Sequence, residues 1–437
     1  MHARTLGLPR MHKEAGERRD FLPPLLAAAA NAGATIVMER GVGAGLGLAL
    51  DDYRTAVPGL QVVERREDAF ACDAVLVLRT PEVEEFATLL RPGSKPPRSA
   101  PSPPASCGNT SSVDQTRTRA LTPTAPSVHS RARAVAGPHH DALVRVRDTL
   151  ISMLHLGTRP RRVAALRGLG CHAVSLDGLV DDRGARLVEN TVSVAWNGLE
   201  TAFAALEQLS PWRMRPEAPT LRVTILGAGQ VGRHAAEAAI KYGSRPRWTE
   251  WSARRVPPVM PSLLGRRLVA DLTFLEAQLG ATDVLVDATQ RDDASEPLLR
   301  NEALAWLPPH AIICDLNVDP YVPTGKPPTV RSIEGIPMGT LDKWLFTPAD
   351  EDWTKTIPPG VPTAARRAVV SCYSWPGIHP LPCMEHYGRQ LEPLLVRYLE
   401  QGFVDPPVDH LDRALRRASL FDPGLQKGPV ASEPSAG

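Results

Sequence analysis

No apolar run in this 437-residue chain is long enough to cross a bilayer. The longest candidate near the start, residues 25–30, falls far short of the roughly twenty residues that a spanning helix needs. An excess of charge of one sign is missing too. Fifty Lys and Arg against 48 Asp and Glu leave a formal net charge of +2, so nothing electrostatic points to nucleic acid or to a membrane surface. The opening residues carry Arg4, Arg10, Lys13 and Glu14 without an apolar core before a cleavage site, so no secretory signal is expected and the default compartment is the cytoplasm. The six cysteines (Cys72, Cys107, Cys171, Cys314, Cys372 and Cys383) are scattered, and none forms a CxxC spacing. They read as buried free thiols in a reducing compartment, and no metal site is expected. No internal repeat is found.

What is present is ordinary for a globular protein, with 43% hydrophobic and 22% charged residues in a length that suits two domains. The 43 prolines are in excess and concentrate in loop-rich segments. Short apolar runs alternate with helical patterns. Residues 25–32 read as a helix closed by Gly33, 34–38 (ATIVM) and 73–78 (DAVLVL) as strands, and 82–90 as an acidic amphipathic helix. Residues 94–141 break this pattern. They are rich in Pro, Ser and Thr, lack aromatics and hold one leucine, Leu121, so they cannot offset their ordering entropy and read as disordered. Strand 149–156, helix 160–169, strand 173–176 and a long helix 189–206 follow, up to a proline-rich linker. Beyond it come strand 221–226, helix 231–242, strands 283–287, 311–316 and 368–373, a last helix 385–400 and a fraying tail. Alternation of this kind predicts parallel α/β architecture.

Residues 222–233 read RVTILGAGQVGR. Gly227, Gly229 and Gly232 match GxGxxG directly after a β-branched strand and at the opening of a helix. Gly227 permits the tight turn, Gly229 lets backbone approach a pyrophosphate, and Gly232 lets helix and strand pack closely. The helix N-terminus then holds the phosphates. The bland reading, a glycine-rich turn, is disfavoured because strand, helix and later strands all agree. The choice of cofactor stays open between NAD and NADP. Glu250 has roughly the spacing of a ribose-binding acid. Alternatively, strand 259–264 ends in Gly265-Arg266-Arg267, where Arg266 meets a 2′-phosphate. Asp287 closes strand 283–287 near the cofactor.

Several segments together resemble the alanine dehydrogenase and pyridine nucleotide transhydrogenase family. They are Gly7-Leu8-Pro9 with Lys13-Glu14, Glu17-Arg18-Arg19 and Pro24; residues 73–81 (DAVLVLRTP) leading to Leu90-Arg91-Pro92-Gly93; 150–156 (LISMLHL); 223–232; 314–320 (CDLNVDP); and 374–376 with the helix beyond. They keep the family's order over most of residues 5–395, and removing 94–148 joins the flanking motifs as the family has them. The resemblance implies an α/β fold of two Rossmann-like, doubly wound parallel-sheet domains with a cleft between them. The substrate domain is then 1–206 with 376–420, interrupted by a disordered insertion at 94–148. The dinucleotide domain is 207–375, and 421–437 is a flexible tail. It further implies oxidative deamination of L-alanine to pyruvate and ammonium with NAD, in a homo-oligomer as large as a hexamer. The partner is thus a small amino acid or 2-oxo acid, with no nucleic acid and no membrane.

Under the resemblance Arg19 binds the substrate carboxylate, for which a guanidinium fork is suited. His155 is the catalytic histidine, able to take and return the proton as amine becomes imine and carbinolamine. Asp319 is the catalytic aspartate that orients water or ammonia and balances the iminium. His379 is a second candidate histidine, and Asp315 reads as structural. The family's lysine before the Thr-Pro turn is here Val77. Arg79, two residues on and on the same strand face, supplies a second cation, or else the pocket has changed and the substrate is not alanine. Two alternatives accompany this reading: a saccharopine- or opine-type dehydrogenase acting on a larger amine, and a non-catalytic nucleotide-binding module.

Overall fold

The computed structural model of the chain describes residues 4–11, 18–89, 149–156, 159–291, 293–322 and 329–420. The expected insertion at 94–148 and tail at 421–437, and the motif residues Lys13, Glu14 and Glu17, lie outside the described residues.

Two six-stranded sheets carry the fold. The first is made of β1 (Thr5–Leu8), β2 (Thr35–Glu39), β3 (Gln61–Val63), β4 (Ala74–Arg79), β5 (Thr149–Met153) and β6 (His172–Ser175). Its spatial order is β3-β2-β1-β4-β5-β6, with every neighbouring pair parallel. The order reverses between β1 and β4, which opens a crevice at their carboxyl ends, the switch point at which open α/β sheets take ligands. The second sheet is made of β7 (Leu221–Leu226), β8 (Val259–Leu264), β9 (Val284–Asp287), β10 (Ile312–Asp315), β11 (Leu345–Phe346) and β12 (Ala368–Ser371). Its order is β11-β12-β10-β9-β7-β8, parallel except for β11. Here the reversal falls between β7 and β9.

The near-continuous apolar run of β4 follows from burial on both faces. Ala74, Leu76 and Leu78 face a core shared with the helices Pro23–Asn31 and Pro380–Gln401, while Val75 and Val77 face another formed with Phe70, Phe86, Leu150 and Leu166. Each leucine or valine among them contributes roughly 1.5–3 kcal/mol of burial, and a charge at Leu76 or Val75 would be stranded in one core or the other. The second sheet repeats the scheme, with Ile225, Val286 and Cys314 on one face and Leu226, Leu285 and Ile313 on the other.

The helix Thr191–Leu209 is capped by Asn190, whose side chain accepts the Ser193 N–H at 3.1 Å. Its Leu199, Phe203 and Leu206 belong to the second core. The helix therefore packs on the core of the second sheet. The helix Pro380–Gln401 returns to the first core. The described cysteines are all buried. Among the described residues no helix is long and apolar enough to cross a membrane.

The two sheets meet at their carboxyl ends. Arg79, the last residue of β4, donates a hydrogen bond from Nη1 to the hydroxyl of Tyr373, two residues beyond β12, and its guanidinium lies 4.2 Å from that ring's centroid. Gln230, the first residue of the helix after the glycine turn, donates to Glu189, just ahead of the helix Thr191–Leu209, at 2.6 Å. The carboxyl end of β4 thus touches the segment that follows β12.

Candidate active site

Gly227 has φ +102° at the end of β7 and donates its N–H to the Leu264 carbonyl at 2.9 Å. A Cβ there would sit 2.5 Å from the Ala288 carbonyl oxygen just past β9, so only glycine closes the turn between three strand ends. At Gly232 a Cβ would lie 1.9 Å from the Gly227 oxygen, which makes this glycine the contact between helix and turn. Gly229 caps the eleven-residue helix Gln230–Ile240 and would present a Cβ to open space. The three positions therefore differ physically as the motif requires: two are closed by backbone, and the third stands open. A helix start with clear space before it accommodates an anionic pyrophosphate.

The register pairs Leu226 with Leu264, so Gly265 and exposed Arg266 stand at the end of β8 beside this turn. Glu250 does not. It lies inside the helix Arg245–Ala253, ion-paired with Arg254 at 3.2 Å, because this Trp- and Arg-rich stretch buries Trp251 from a helix rather than a strand.

Carboxylates at the ends of β9 and β10 are held internally. Asp287 is 1% exposed and accepts hydrogen bonds from the Thr289 N–H (3.1 Å), the Thr289 hydroxyl (2.7 Å) and the Ser332 hydroxyl. Burial pushes its carboxyl up to about 6 against these bonds. Asp315 is paired with buried Arg331 and accepts from Ser371 at 2.7 Å, in keeping with its structural reading. Asp319 is a third exposed, 2.9 Å from Arg291 and 3.2 Å from the Asn317 amide. It follows Val318, whose φ is +56°. This backbone conformation is uncommon for a β-branched residue and characteristic of special sites.

In the first domain Arg19 is 8% exposed, close enough to Tyr387 to draw down a phenol that burial raises. With Leu8, Met11 and Val77 it lines a small cavity at the β1/β4 switch point. His155 stands two residues past β5 with φ +51° and a half-exposed side chain. Its N–H donates to one oxygen of Asp177 at 3.0 Å, and its Nδ1 lies 3.1 Å from the other. Burial raises the Asp177 carboxyl, but hydrogen bonds from His155 and Ser175 outweigh that and hold it well below the usual carboxylate range. An imidazole fixed at Nδ1 by a carboxylate keeps one tautomer and directs Nε2 outward, an arrangement suited to proton transfer.

Asp177 is absent from the sequence reading. It lies just beyond β6, the parallel neighbour of β5, and pairing the residues that follow adjacent strands would have found it. His379 sits elsewhere: its Nε2 is 2.7 Å from Glu200, whose hydrogen bond raises the imidazole's pKa. In sum, the structure sets Arg19, Arg79 and His155 at the carboxyl edge of the first sheet, and Gly227 and Asp319 at that of the second. The carboxylate of Asp287 is turned inward.

No protein-family model matches the chain, and no curated protein matches it in sequence. Solved structures do match over nearly its whole length. An L-alanine dehydrogenase aligns with a TM-score of 0.63 at 17% identity, covering 97% of this chain and 98% of that protein. A transhydrogenase from Sinorhizobium meliloti aligns with a TM-score of 0.54 at 14% identity, covering 91% and 94%. At these identities the likeness is one of architecture: the chain has the two-domain Rossmann-like fold of these two proteins.

Proposed function

We propose that the chain is a nicotinamide-dependent oxidoreductase that interconverts an L-amino acid with its 2-oxo acid and ammonium. The observation that carries this reading is the Arg79–Tyr373 contact. It joins the carboxyl end of β4 to the segment after β12, which supports a dinucleotide on the Gly227 turn and a substrate beside His155 sharing one cleft. The fold likeness to an L-alanine dehydrogenase supports it.

In this reading the pyrophosphate rests on the helix start at Gly229. Gly265 and Arg266, with no acid at the end of β8, favour a 2′-phosphate and hence NADP over NAD. The bound nicotinamide supplies an acceptor for hydride. Arg19 grips the α-carboxylate and aims the Cα–H. His155, oriented by Asp177, takes the proton released as water adds to the imine carbon and returns it to the departing ammonia. Asp319, tethered by Arg291, faces the developing positive charge on nitrogen. The Cα–H bond breaks, the water oxygen becomes the carbonyl, and ammonium leaves.

The test is formation of reduced nicotinamide from L-amino acids with NAD and NADP, and its reverse from 2-oxo acids with ammonium. Turnover lost in His155→Ala with nucleotide binding kept supports the enzyme. Binding with no turnover of any substrate leaves the non-catalytic module.

A further inference from the structure

A cavity of about 70 Å³ lies at the first switch point, lined by Arg10, Arg66, Arg79, Met11, Val77 and Glu85, among others. That is room for more than one water, enough for a carboxylate. Its cations are prepositioned. Arg10 lies along Gly41, its Cδ, Nε and Nη1 each 3.2 Å from where a Cβ would stand, so the glycine makes space for the guanidinium. Arg66 is held over the Phe70 ring at 5.4 Å and donates from Nη1 to the Arg10 carbonyl at 2.9 Å, while its buried Nε has no partner. Among the described residues neither Arg10 nor Arg66 has a carboxylate within ion-pair distance. Two carboxylates are close, and both are engaged: Glu85 accepts the Glu82 N–H at 2.8 Å, and Glu39 the Arg10 N–H at 2.8 Å.

This cavity shares Met11 and Val77 with the smaller one lined by Arg19. An apolar wall therefore separates two cationic ends, at the position where the resemblance leads one to expect a lysine. Arg19 at the smaller cavity takes the α-carboxylate in the reading above, which leaves the guanidinium groups of the larger cavity to a second anionic group. We propose that the Arg10–Arg66 cavity is the subsite for a second carboxylate, so that the substrates are acidic L-amino acids and 2-oxo dicarboxylates rather than alanine and pyruvate. This rests on the reading above for its chemistry, but not for its binding.

Two measurements test it. In the first, kcat/KM for ammonium-dependent reduction is compared between pyruvate and the pair oxaloacetate and 2-oxoglutarate. In the second, calorimetry compares succinate with acetate on the nucleotide-loaded protein. We expect the dicarboxylates to be favoured at least tenfold in both, as suits charge-assisted hydrogen bonds. Arg66→Gln and, separately, Arg10→Gln should each cut that ratio about tenfold or more. Equal or better use of pyruvate, or variants that weaken mono- and dicarboxylates alike, would overturn the subsite. Succinate binding that is lost in Arg66→Gln without turnover of any 2-oxo acid would uphold the subsite and refute the enzymatic reading.

Discussion

The two crevices handle charge in opposite ways. In the second domain the buried cations are consumed by structure: Arg331 by Asp315, Arg291 by Asp319, and Arg213 by Asp283 at 2.7 Å. A phosphate arriving there has backbone N–H groups and a helix dipole to meet, in the space that the glycine turn leaves open. In the first domain Arg10 and Arg66 have no carboxylate partner among the described residues, and Arg79 reaches a tyrosine. An anion arriving there meets guanidinium forks. Two sheets of similar topology thus offer an anion different partners, one the shape of the main chain and the other side-chain charge.

The contrast can be broken by substitution. The largest effect is expected at His155, where alanine should cost about 10²- to 10⁴-fold in turnover, read by steady-state kinetics, with nucleotide affinity kept. A parallel loss of affinity would mean that the crevices are not separable. Next comes Arg331→Leu, which leaves Asp315 buried without a counter-ion and should cost about 3–5 kcal/mol of stability in denaturant titration. Arg66→Leu, by contrast, removes no ion pair and should cost well under half of that. Equal costs would erase the distinction.

A third prediction uses pH. His172, stacked on Phe403 in the first domain, is pushed by burial down to about 4 from 6.5. Between these values the unfolded chain binds the extra proton, so this group's stabilisation is lost as pH falls from 6.5 toward 4. Asp287 in the second domain is raised from 3.8 to about 6. There the folded state binds the extra proton, and stability rises as pH falls from 6 toward 3.8. Each contribution amounts to up to roughly 3 kcal/mol. Unfolding titrations across that range should show His172→Leu removing the acid loss and Asp287→Asn removing the opposing gain; slopes unchanged in both variants would refute the assignment. The smallest effect is at Gly229, where the space is open. Valine should weaken nucleotide binding about tenfold, roughly 1.4 kcal/mol, without moving the unfolding midpoint. A shifted midpoint would mean that the position is closed after all.

How far the sequence could be read follows from the range of each interaction. β7 and β8 come out residue for residue, and the glycine turn behaves as its spacing implies, because strand, turn and helix start are local. β4 shows as a continuous apolar run since both its faces are covered. Misplacement came where a signal was weak or distant. Glu250 has only the spacing of a ribose-binding acid, and spacing does not carry the helix that holds it. β3, three residues at a sheet edge, carries too little pattern to be seen. Asp177 meets His155 only because β5 and β6 are neighbours. Arg10, Arg66 and Arg79 come from a loop, a helix start and a strand end, and no local pattern announces that they line one cavity.

The central claim is that nucleotide and substrate occupy one cleft between the two carboxyl edges. The most direct measurement is to titrate 2-oxoglutarate, without ammonium, into the protein loaded with NADPH while following nicotinamide fluorescence. A saturable change, shifted to higher concentration in Arg19→Lys, is the predicted result. Binding of the two ligands with no effect on each other would contradict it.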